Sequence, residues 1–302
     1  MTAPLVSAIL PVHNRERTVA RAIESVLAQS HRPLELIVVD DGSTDGTRRV
    51  LESFGSSITL LEQPNAGPYV ARNHALRHAR GEFVAFIDSD DAWLPERLAS
   101  QLRLMRPEVG LVFGDAAWRL ADGRSAGLTC FDVVPPRRGR VMRHFVWGNF
   151  VPTVTVLVRR SCLEELGGFS EAATLSSDYL MWFRIAQRYE LDYVSAPVAE
   201  YTVFSGGISS DLGRSLEARI RLFRDELARV SDPRTRHTLR RLLFNLSLHL
   251  LLASVRRRAR NVSHPLRLAW HTAAMVARIE AGPWTAGFAA NQIRIRTRRL
   301  FS

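Results

Sequence analysis

The first ninety residues repeat one local pattern, in which an apolar run of strand length leads to polar residues and then to a helical stretch. The apolar runs are residues 6–10, 34–39, 58–61 and 82–87, and apolar residues recur at helical spacing in residues 18–30, 47–54 and 69–79. Strands that alternate with helices at this pace predict a parallel sheet with helices on both faces. The chain therefore reads as an α/β protein with a mostly parallel sheet.

Polar residues stand at the point where three of these apolar runs end. They are Pro11 to Asn14, the pair Asp40 and Asp41, and residues 88–91. Ligands of open α/β sheets bind outside the carboxyl ends of the strands. We therefore expect these residues to meet at one rim of the sheet and to form a binding site there.

The stretch "FVAFIDSDDAW", residues 83–93, places Asp88, Asp90 and Asp91 within four residues. Like charges at this spacing raise one another's pKa, so the cluster is costly unless a cation offsets it. Mg²⁺ and Mn²⁺ prefer oxygen ligands and commonly take one or two carboxylates together with substrate phosphates. The alternative is a helix cap, with an aspartate opening the helix of "DAWLPERLASQL". One of the three aspartates could serve only as that cap.

Beyond residue 108 the pattern is less regular. Further strands are predicted at residues 109–118 and 151–160, and a helix capped by Ser176 or Ser177 covers residues 176–189.

Charge divides the chain into two parts. Residues 1–211 carry a net charge of −3, whereas residues 212–302 hold 19 arginines against 5 acids, a net charge of +14. We predict a site-bearing domain over residues 1–211 and an arginine-rich helical extension over residues 212–302. No signal peptide and no membrane-spanning segment is expected, which favours a cytoplasmic location. Cys130 and Cys162 are interpreted as thiols, with a disulfide as the weaker alternative.

Several spaced motifs resemble the inverting family-two glycosyltransferases of the GT-A fold. They are "ILPVHN", "ELIVVDDGSTDGT", "NAGPYVARNHAL", "RGEFVAFIDSDDAWLPERL" and the later "LEELGGFSE" and "SSDYLMWFRIA", spread over residues 5–205. The resemblance implies a Rossmann-like sheet and an enzyme that moves a sugar from a nucleotide-diphosphate donor to a hydroxyl acceptor. It also implies a divalent metal, Mn²⁺ or Mg²⁺. A nucleotidyltransferase is disfavoured because "ILPVHNRERT" contains neither glycine nor lysine.

The resemblance also assigns residues to the donor. The nucleotide-sugar residues are Pro11, Val12, His13, Asn14, Glu16, Asp40, Asp41, Asn65, Gly67, Arg72, Asn73, Asp88 and Ser89. Asp88 and Asp90 would hold the metal. Arg72 could pair with a phosphate or with a rim carboxylate, since its guanidinium suits either.

Ordinary structural roles remain open for parts of these motifs. "DDGSTDGT" is also a turn followed by a helix cap, and capping is the preferred role for Asp45. His74 and His78 share a helix face, but without a third ligand nearby they are interpreted as surface histidines.

Inverting transfer needs a base that takes the proton of the acceptor hydroxyl. Asp178 in "SSDYLMW" matches the family's catalytic aspartate, although it could be only an acid in the first turn of a helix. Trp182, one turn later, is assigned to the acceptor side, with a core position as the alternative.

The chain departs from the family pattern at three positions. Ser177 stands where the family usually has glutamate, and Thr202 and Phe204 stand where it commonly has arginine and histidine. Phe204 cannot bind a metal or a diphosphate. A degenerate transferase that docks on a membrane or binds nucleotide without turnover is therefore the alternative function.

The basic extension combines arginines with an apolar centre, residues 242–255, and with Trp270 and Trp284. An anionic membrane interface suits this combination, and a packing or homodimer contact is the alternative. Nucleic acid is disfavoured because aromatic residues are not interleaved as a stacking platform. The expected partners are thus a nucleotide-sugar donor, with UDP favoured, and a glycan or lipid-linked acceptor of cell-envelope polysaccharide synthesis.

Overall fold

The computed structural model describes residues 3–173, 175–203 and 212–259. Nine strands form one sheet in the described part of the chain. They are β1 (Val6–Val12), β2 (Leu34–Asp40), β3 (Thr59–Glu62), β4 (Phe83–Phe86), β5 (Ala92–Trp93), β6 (Val109–Leu120), β7 (Ser125–Thr129), β8 (Leu157–Arg159) and β9 (Glu190–Val203). The strand order is β3-β2-β1-β4-β8-β6-β9-β5, and β7 pairs with β6.

The described residues also form nine α-helices and three short 3₁₀ helices, of which α8 and α9 follow the last strand. The α-helices are α1 (Val19–Leu27), α2 (Thr47–Glu52), α3 (Pro68–His78), α4 (Arg97–Leu102), α5 (Cys130–Val133), α6 (Arg160–Glu165), α7 (Ser177–Arg188), α8 (Leu212–Arg229) and α9 (Pro233–Ala259). The 3₁₀ helices are Gly55–Ser57, Met142–Trp147 and Thr153–Thr155. None of the described helices combines the length and the apolar character that crossing a bilayer requires.

The predicted α/β fold is confirmed, and its first four strands pair as the repeated pattern indicates. β1 runs parallel to both β2 and β4, and β2 runs parallel to β3. Beyond β4 the sheet is mixed, because β8 is antiparallel to both β4 and β6 whereas β9 is parallel to β6.

The sheet separates two apolar cores because alternate residues of a strand point to opposite faces. Ile9 of β1 and Phe86 of β4 lie in one core, together with α3 and α7. Leu10 and Ala85, their neighbours in the chain, lie in the other core with α1 and α4. All seven residues of β1 are buried, which explains why its sequence is apolar without alternation.

Two local predictions were wrong. The helix predicted after the acid cluster begins only at Arg97, because Ala92 and Trp93 pair as a short strand with β9. Asp91 is therefore not its cap. Of residues 151–160, only Leu157–Arg159 form a strand, since Thr153–Thr155 turn into a 3₁₀ helix.

The helices α8 and α9 pack on the core that contains α7. Phe223 of α8 is fully buried, with its ring 4.9 Å from that of Tyr179, and Leu239 and Leu242 of α9 are fully buried in the same core. The buried Glu226 of α8 accepts hydrogen bonds from Arg184 of α7. The first part of the arginine-rich segment thus packs through apolar contacts rather than onto an acidic face. Phe204, Trp270 and Trp284 lie outside the described residues, and the domain boundary near residue 211 stays a prediction. Cys130 and Cys162 are both free thiols.

Glu35 links the start of β2 to the start of β1 and to the segment that precedes β4. Its Oε1 accepts hydrogen bonds from Ser7 Oγ at 2.6 Å and from the Arg80 backbone N–H at 2.8 Å. Ser7 Oγ in turn accepts from the Gly81 N–H. Burial disfavours ionisation of Glu35, but the hydrogen bonds from Ser7 and Arg80 outweigh it and lower the pKa of this carboxyl.

We expect Glu35→Gln to lower the free energy of unfolding by about 1–3 kcal/mol at neutral pH, because hydrogen bonds to a charged group are lost. The native pKa is depressed, so this stability is complete above the unfolded pKa and disappears as the pH falls through the native pKa. Urea unfolding at a series of pH values should show the difference between the two proteins shrinking in acid. Glu24→Gln on the exposed face of α1 is the matched control, and an equal loss in that variant would contradict the assignment.

Candidate active site

The polar residues that follow β1, β2 and β4 lie at one rim of the sheet, as the sequence predicts. β1 is parallel to both neighbours, and Val12 at its end is level with Asp40 at the end of β2. Three loops therefore converge there, namely residues 13–16, 41–46 and 88–91. The loop of residues 63–67 closes the same rim from β3.

Asp41 holds the loop that leads into α3. Its carboxylate accepts hydrogen bonds at 2.8 Å from the backbone N–H groups of Ala66 and Gly67 and from Gln63 Nε2. The approach is close enough that Gly42, at φ +71°, has no room for a side chain, because a Cβ would lie 2.8 Å from the Asn65 nitrogen. The chain itself thus satisfies the Asp41 carboxylate.

Asp40 keeps one carboxylate oxygen without a donor from the described residues. Oδ1 accepts from the Ser43 N–H at 2.9 Å, whereas none of the described residues donates to Oδ2. The His13 ring lies beside this pair, with Nδ1 2.9 Å from the Asp41 carbonyl oxygen and Nε2 3.1 Å from Asn65 Nδ2. Of the two aspartates, Asp40 therefore has the freer acceptor for a ligand.

Asn14 and Glu16 fix the loop of residues 43–46. Asn14 Oδ1 accepts from the Thr44 N–H at 2.7 Å, and Glu16 Oε2 accepts from the Gly46 N–H at 2.8 Å. Asp45 Oδ1 accepts from the N–H of Thr47, the first residue of α2, but the N-cap position predicted for Asp45 is occupied by Gly46. Donor contact by Pro11, Val12, Asn14 and Glu16 stays a prediction.

The three aspartates after β4 have different surroundings. Asp88 pairs with the buried guanidinium of Arg72, while Asp90 Oδ2 lies 3.7 Å from Arg15 Nε. Asp91 is only 1% exposed and accepts a hydrogen bond from the Thr202 N–H at 2.8 Å. Ser89, which lies between Asp88 and Asp90 in the chain, is buried. Asp88 and Asp90 thus remain the carboxylates that face solvent.

Burial and neighbouring charge raise the pKa of two members of this cluster, Asp90 and Asp91. Burial and the neighbouring Asp88 charge raise the pKa of Asp90, and burial followed by the charges of Asp88 and Asp90 raises that of Asp91 further. A dication would offset this repulsion. The donor set fits one, since Asp88 and Asp90 offer the hard oxygen ligands that Mg²⁺ and Mn²⁺ prefer. In the described residues no three His, Cys, Asp or Glu side chains are grouped as a complete metal site.

Arg72 connects the acid cluster to the aromatic core. It is 5% exposed, and its guanidinium carbon lies 5.5 Å from the ring centre of Tyr69 and 5.9 Å from that of Phe169. Its pairing partner is a rim carboxylate, Asp88. Of the two partners predicted for Arg72, a phosphate or a rim carboxylate, the structure shows the carboxylate.

Asp178 begins α7 between two hydroxyl donors. Thr153 Oγ1 donates to Oδ2 at 2.7 Å, and the Tyr69 hydroxyl donates to Oδ1 at 3.2 Å. The carboxylate is thus held in one orientation. Sequence reasoning singled out neither donor. Tyr69 carried a signal, because it lies one turn before Arg72 in a motif already quoted, whereas Thr153 carried none.

Ser177 and Asn73 both fix the segment that precedes α7. Ser177 Oγ accepts from the Ser170 N–H at 2.7 Å. Asn73 bonds to both the N–H and the carbonyl of Phe169 and donates to Glu171 Oε1. Asn73 therefore points toward this segment and away from the rim. Both amide atoms of Asn73 are thus engaged within the chain, and donor contact by Asn73, Gly67 and Asn65 stays a prediction.

Trp182 has no exposed surface. It is 0% exposed and packs against Phe86 and Phe169, each ring centre 5.9 Å away. The acceptor-side assignment is therefore wrong, and the core alternative holds. His74 and His78 lie edge to face on α3, and His74 Nδ1 is 3.0 Å from Gln63 Oε1.

Thr202, one of the departures from the family pattern, contacts the acid cluster directly. Its N–H donates to Asp91, and its hydroxyl donates to the Asp90 carbonyl oxygen. Position 202 therefore lies at the site, although threonine supplies no positive charge there.

Comparison with known proteins agrees with this architecture. GT-A glycosyltransferases are among the solved structures with the same fold. The mannosyltransferase PcManGT of Pyrobaculum calidifontis, solved with GDP-Man and Mn²⁺, superimposes with a TM-score of 0.65 at 23% identity, covering 99% of this chain and 88% of that one. S. aureus TarS 1–349 with UDP gives a TM-score of 0.61 at 20% identity, covering 98% and 92%. These structures define the fold class.

The model of glycosyl transferase family 2 matches residues 7–167, and the chain belongs to this family. The Escherichia coli protein WfgD is a UDP-Glc:α-D-GlcNAc-diphosphoundecaprenol β-1,3-glucosyltransferase. It is 31% identical over 221 residues, which cover 70% of this chain and 83% of WfgD. The chain spans only 31%, 42% and 58% of the length of three further curated relatives.

Proposed function

We propose that the chain is an inverting glycosyltransferase that moves a sugar from a nucleotide-diphosphate donor to a hydroxyl of an acceptor glycan. One observation carries the proposal. The acid cluster and the candidate base belong to one continuous set of contacts, from Asp88 to Arg72, from Arg72 to the Tyr69 ring, and from the Tyr69 hydroxyl to Asp178. A donor held at Asp88 would thus lie at one end of these contacts, and the candidate base Asp178 would lie at the other.

The nucleotide would lie on the rim formed by His13, Asp40 and Asn65. Asp40 supports this placement, because its Oδ2 can accept a hydrogen bond from a base or a ribose hydroxyl. Burying that carboxylate under a ligand is favourable only when such a donor is supplied. We favour a UDP-sugar, as UDP is the nucleotide of the TarS complex and of the WfgD donor.

The diphosphate would lie between the acid cluster and Arg15. Asp88 and Asp90 would hold Mn²⁺ or Mg²⁺, and such an ion, when bound, neutralises the charge that develops on the leaving diphosphate. Arg72 donates to Asp88 and holds that carboxylate in one orientation. Mn²⁺ is the ion of the PcManGT complex.

Asp178 would act as the base. The acceptor oxygen attacks the anomeric carbon, its proton passes to the Asp178 carboxylate, and the bond from the anomeric carbon to the diphosphate oxygen breaks. Configuration at that carbon inverts in a single displacement. Thr153 and Tyr69 hold the carboxylate ready for this transfer, which lowers the cost of reaching the reactive geometry.

The acceptor would be a glycan or a lipid-linked glycan, for use in cell-envelope polysaccharide synthesis. The printed acceptor of WfgD is lipid-linked, and the arginine-rich extension suits the cytoplasmic face of a membrane. A homodimer contact is the alternative use of the extension, and no nucleic acid partner is proposed.

The second candidate function is a transferase-like scaffold that binds nucleotide or membrane without turnover. Ser177 and Thr202 favour it, because they remove two charges that the family commonly carries near the site. Hydrolysis of the donor in the absence of acceptor separates the two functions, since a scaffold should show none.

The first test is a calorimetric titration of the full chain with UDP, GDP, dTDP and CDP, each with and without Mn²⁺. We expect one nucleotide, UDP, to bind roughly tenfold or more tightly with the metal present, which corresponds to about 1.4 kcal/mol. Metal-independent binding would remove the metal from the proposal. Failure of all four nucleotides to bind would favour the scaffold.

A further inference from the structure

Away from the rim, a basic cavity opens between the 3₁₀ helix Met142–Trp147 and α9. Its volume is about 400 Å³, and four of its lining residues are basic, namely Arg143, Arg234, His237 and Arg241. Arg143 and Arg241 are exposed and make no ion pair with the described residues. Uncompensated arginines around a cavity favour an anionic ligand.

Charge of one sign continues along both elements. Residues 233–259, the span of α9, contain seven arginines and no acid, and residues 133–150 contain four arginines and no acid. The nearest acid in sequence, Asp232, accepts hydrogen bonds from Thr235 and serves the start of α9. Within residues 133–150, Arg138 pairs with Asp192 and Arg140 with Glu190. The positive charge available to a ligand is therefore that of the cavity residues, with Arg143 and Arg241 exposed.

The same face carries exposed apolar side chains. Among the described residues only three large apolar side chains are exposed, and they are Trp147 at 42%, Phe244 at 59% and Leu251 at 58%. Phe244 lies one turn after Arg241, and Leu251 lies two turns further on the same side of α9. The 3₁₀ helix that ends at Trp147 packs against α9 in this region, because Asn245 Nδ2, next to Phe244 in the chain, donates to the carbonyl of Val146 at 3.2 Å.

We propose that this face, called here the basic-aromatic face (Arg143, Trp147, Arg241, Phe244 and Leu251), docks on an anionic phospholipid bilayer. Arginines would bind headgroup phosphates, with one phosphate in the cavity, while Trp147, Phe244 and Leu251 enter the boundary with the acyl chains. Nucleic acid would use the charge but would leave the apolar side chains in water, so the lipid surface accounts for more of the face.

The docked face would be connected to the candidate base by one short element. The carbonyl of Phe145, between the cavity residue Arg143 and Trp147, accepts a hydrogen bond from the hydroxyl of Tyr179. Tyr179 follows Asp178 directly in α7. A lipid-linked acceptor held at the bilayer would thus approach the protein from the side of its base. In this respect the inference deepens the proposed function and rests on it.

The test is co-sedimentation of the full chain with vesicles of phosphatidylcholine alone or with about one third phosphatidylglycerol. We expect binding only to the anionic vesicles. The double variant Arg143→Ser/Arg241→Ser should bind them about 25-fold more weakly, since each arginine near such a surface contributes about fivefold. Phe244→Ser should weaken binding about tenfold.

The matched control, Arg49→Ser/Arg103→Ser, makes the same charge change at two exposed arginines elsewhere and should bind as the wild type does. Equal binding by wild type and the Arg143/Arg241 variant would overturn the proposal. Binding of a single-stranded RNA, without binding of vesicles, would also overturn it. A third contrary result would be a dimer in sedimentation velocity that Phe244→Ser dissociates, in a protein that does not bind vesicles.

The calorimetric titration with UDP keeps this proposal separate from the proposed function. Variants of the basic-aromatic face should bind UDP with unchanged affinity. A variant that loses vesicle binding but keeps UDP binding has lost only the lipid contact of the basic-aromatic face. Absence of UDP binding in a wild type that still binds vesicles would overturn the transferase proposal and leave the lipid contact standing.

Discussion

Replacing Asp178 by asparagine is expected to lower kcat by about 10²–10⁴-fold, the usual contribution of a general base. The amide has the size of the carboxylate and can still accept from the Thr153 hydroxyl, which lies 2.7 Å away in the native protein. The fold and the donor affinity should therefore stay as they are. Single-turnover transfer rates and a UDP titration measure the two effects separately.

Two variants serve as controls for this result. Asp225→Asn makes the same change on the exposed face of α8 and should leave kcat unaltered. Thr153→Val keeps the carboxylate but removes one of its two hydroxyl donors, so a loss of at most about tenfold is expected from misorientation. If Asp178→Asn kept kcat within about fivefold, the base would have to be another residue.

Replacing Asp90 by alanine is expected to abolish turnover, with a loss of at least about 10³-fold, and to remove the effect of Mn²⁺ on UDP binding. The stability of the folded protein should not decrease. The pKa of Asp90 is raised by burial and by Asp88, which means that its charge is disfavoured in the native state, so Tm should stay equal or rise. Transfer assays, calorimetry and a thermal melt together test this combination.

Asp88→Ala provides the contrast. It removes the partner of Arg72, whose side chain is only 6% exposed, and an unpaired buried guanidinium costs about 1–3 kcal/mol. This variant should therefore lose both activity and stability, whereas Asp90→Ala should lose activity alone. An Asp90→Ala protein with normal, metal-stimulated transfer would show that the metal is held elsewhere.

The rim of the sheet could be predicted from the sequence because its cause is local. β1, most of β2 and β4 are buried on both faces of the sheet, so each of these apolar runs must end where polar residues begin. Parallel pairing then gathers those ends on one edge. Asp40 and Asp88 were found in this way, and so was the helix that begins at Ser177. These features need only periodicity and the register of parallel strands.

The contacts of the site could not be predicted, since they join residues far apart in the chain. Thr153 reaches Asp178 from a segment that reads as a strand, and Tyr69 reaches it across 109 residues. Asp91 had the local signature of a helix cap, but its carboxylate is taken by Thr202 of β9, 111 residues away. The core position of Trp182 could not be predicted either, because helical spacing does not show which face of α7 meets Phe86.

Helix α3 brings three neighbouring positions to three different parts of the site. Tyr69 bonds to the candidate base, Arg72 to the candidate metal ligand, and Asn73 to the segment that leads into α7. A rigid helix moves all three together, so the donor half and the acceptor half cannot be adjusted independently through it. New sugar or acceptor preferences would then arise more readily in elements that do not touch α3, such as the loop of residues 43–46. A relative that altered α3 would have to rebuild both halves at once.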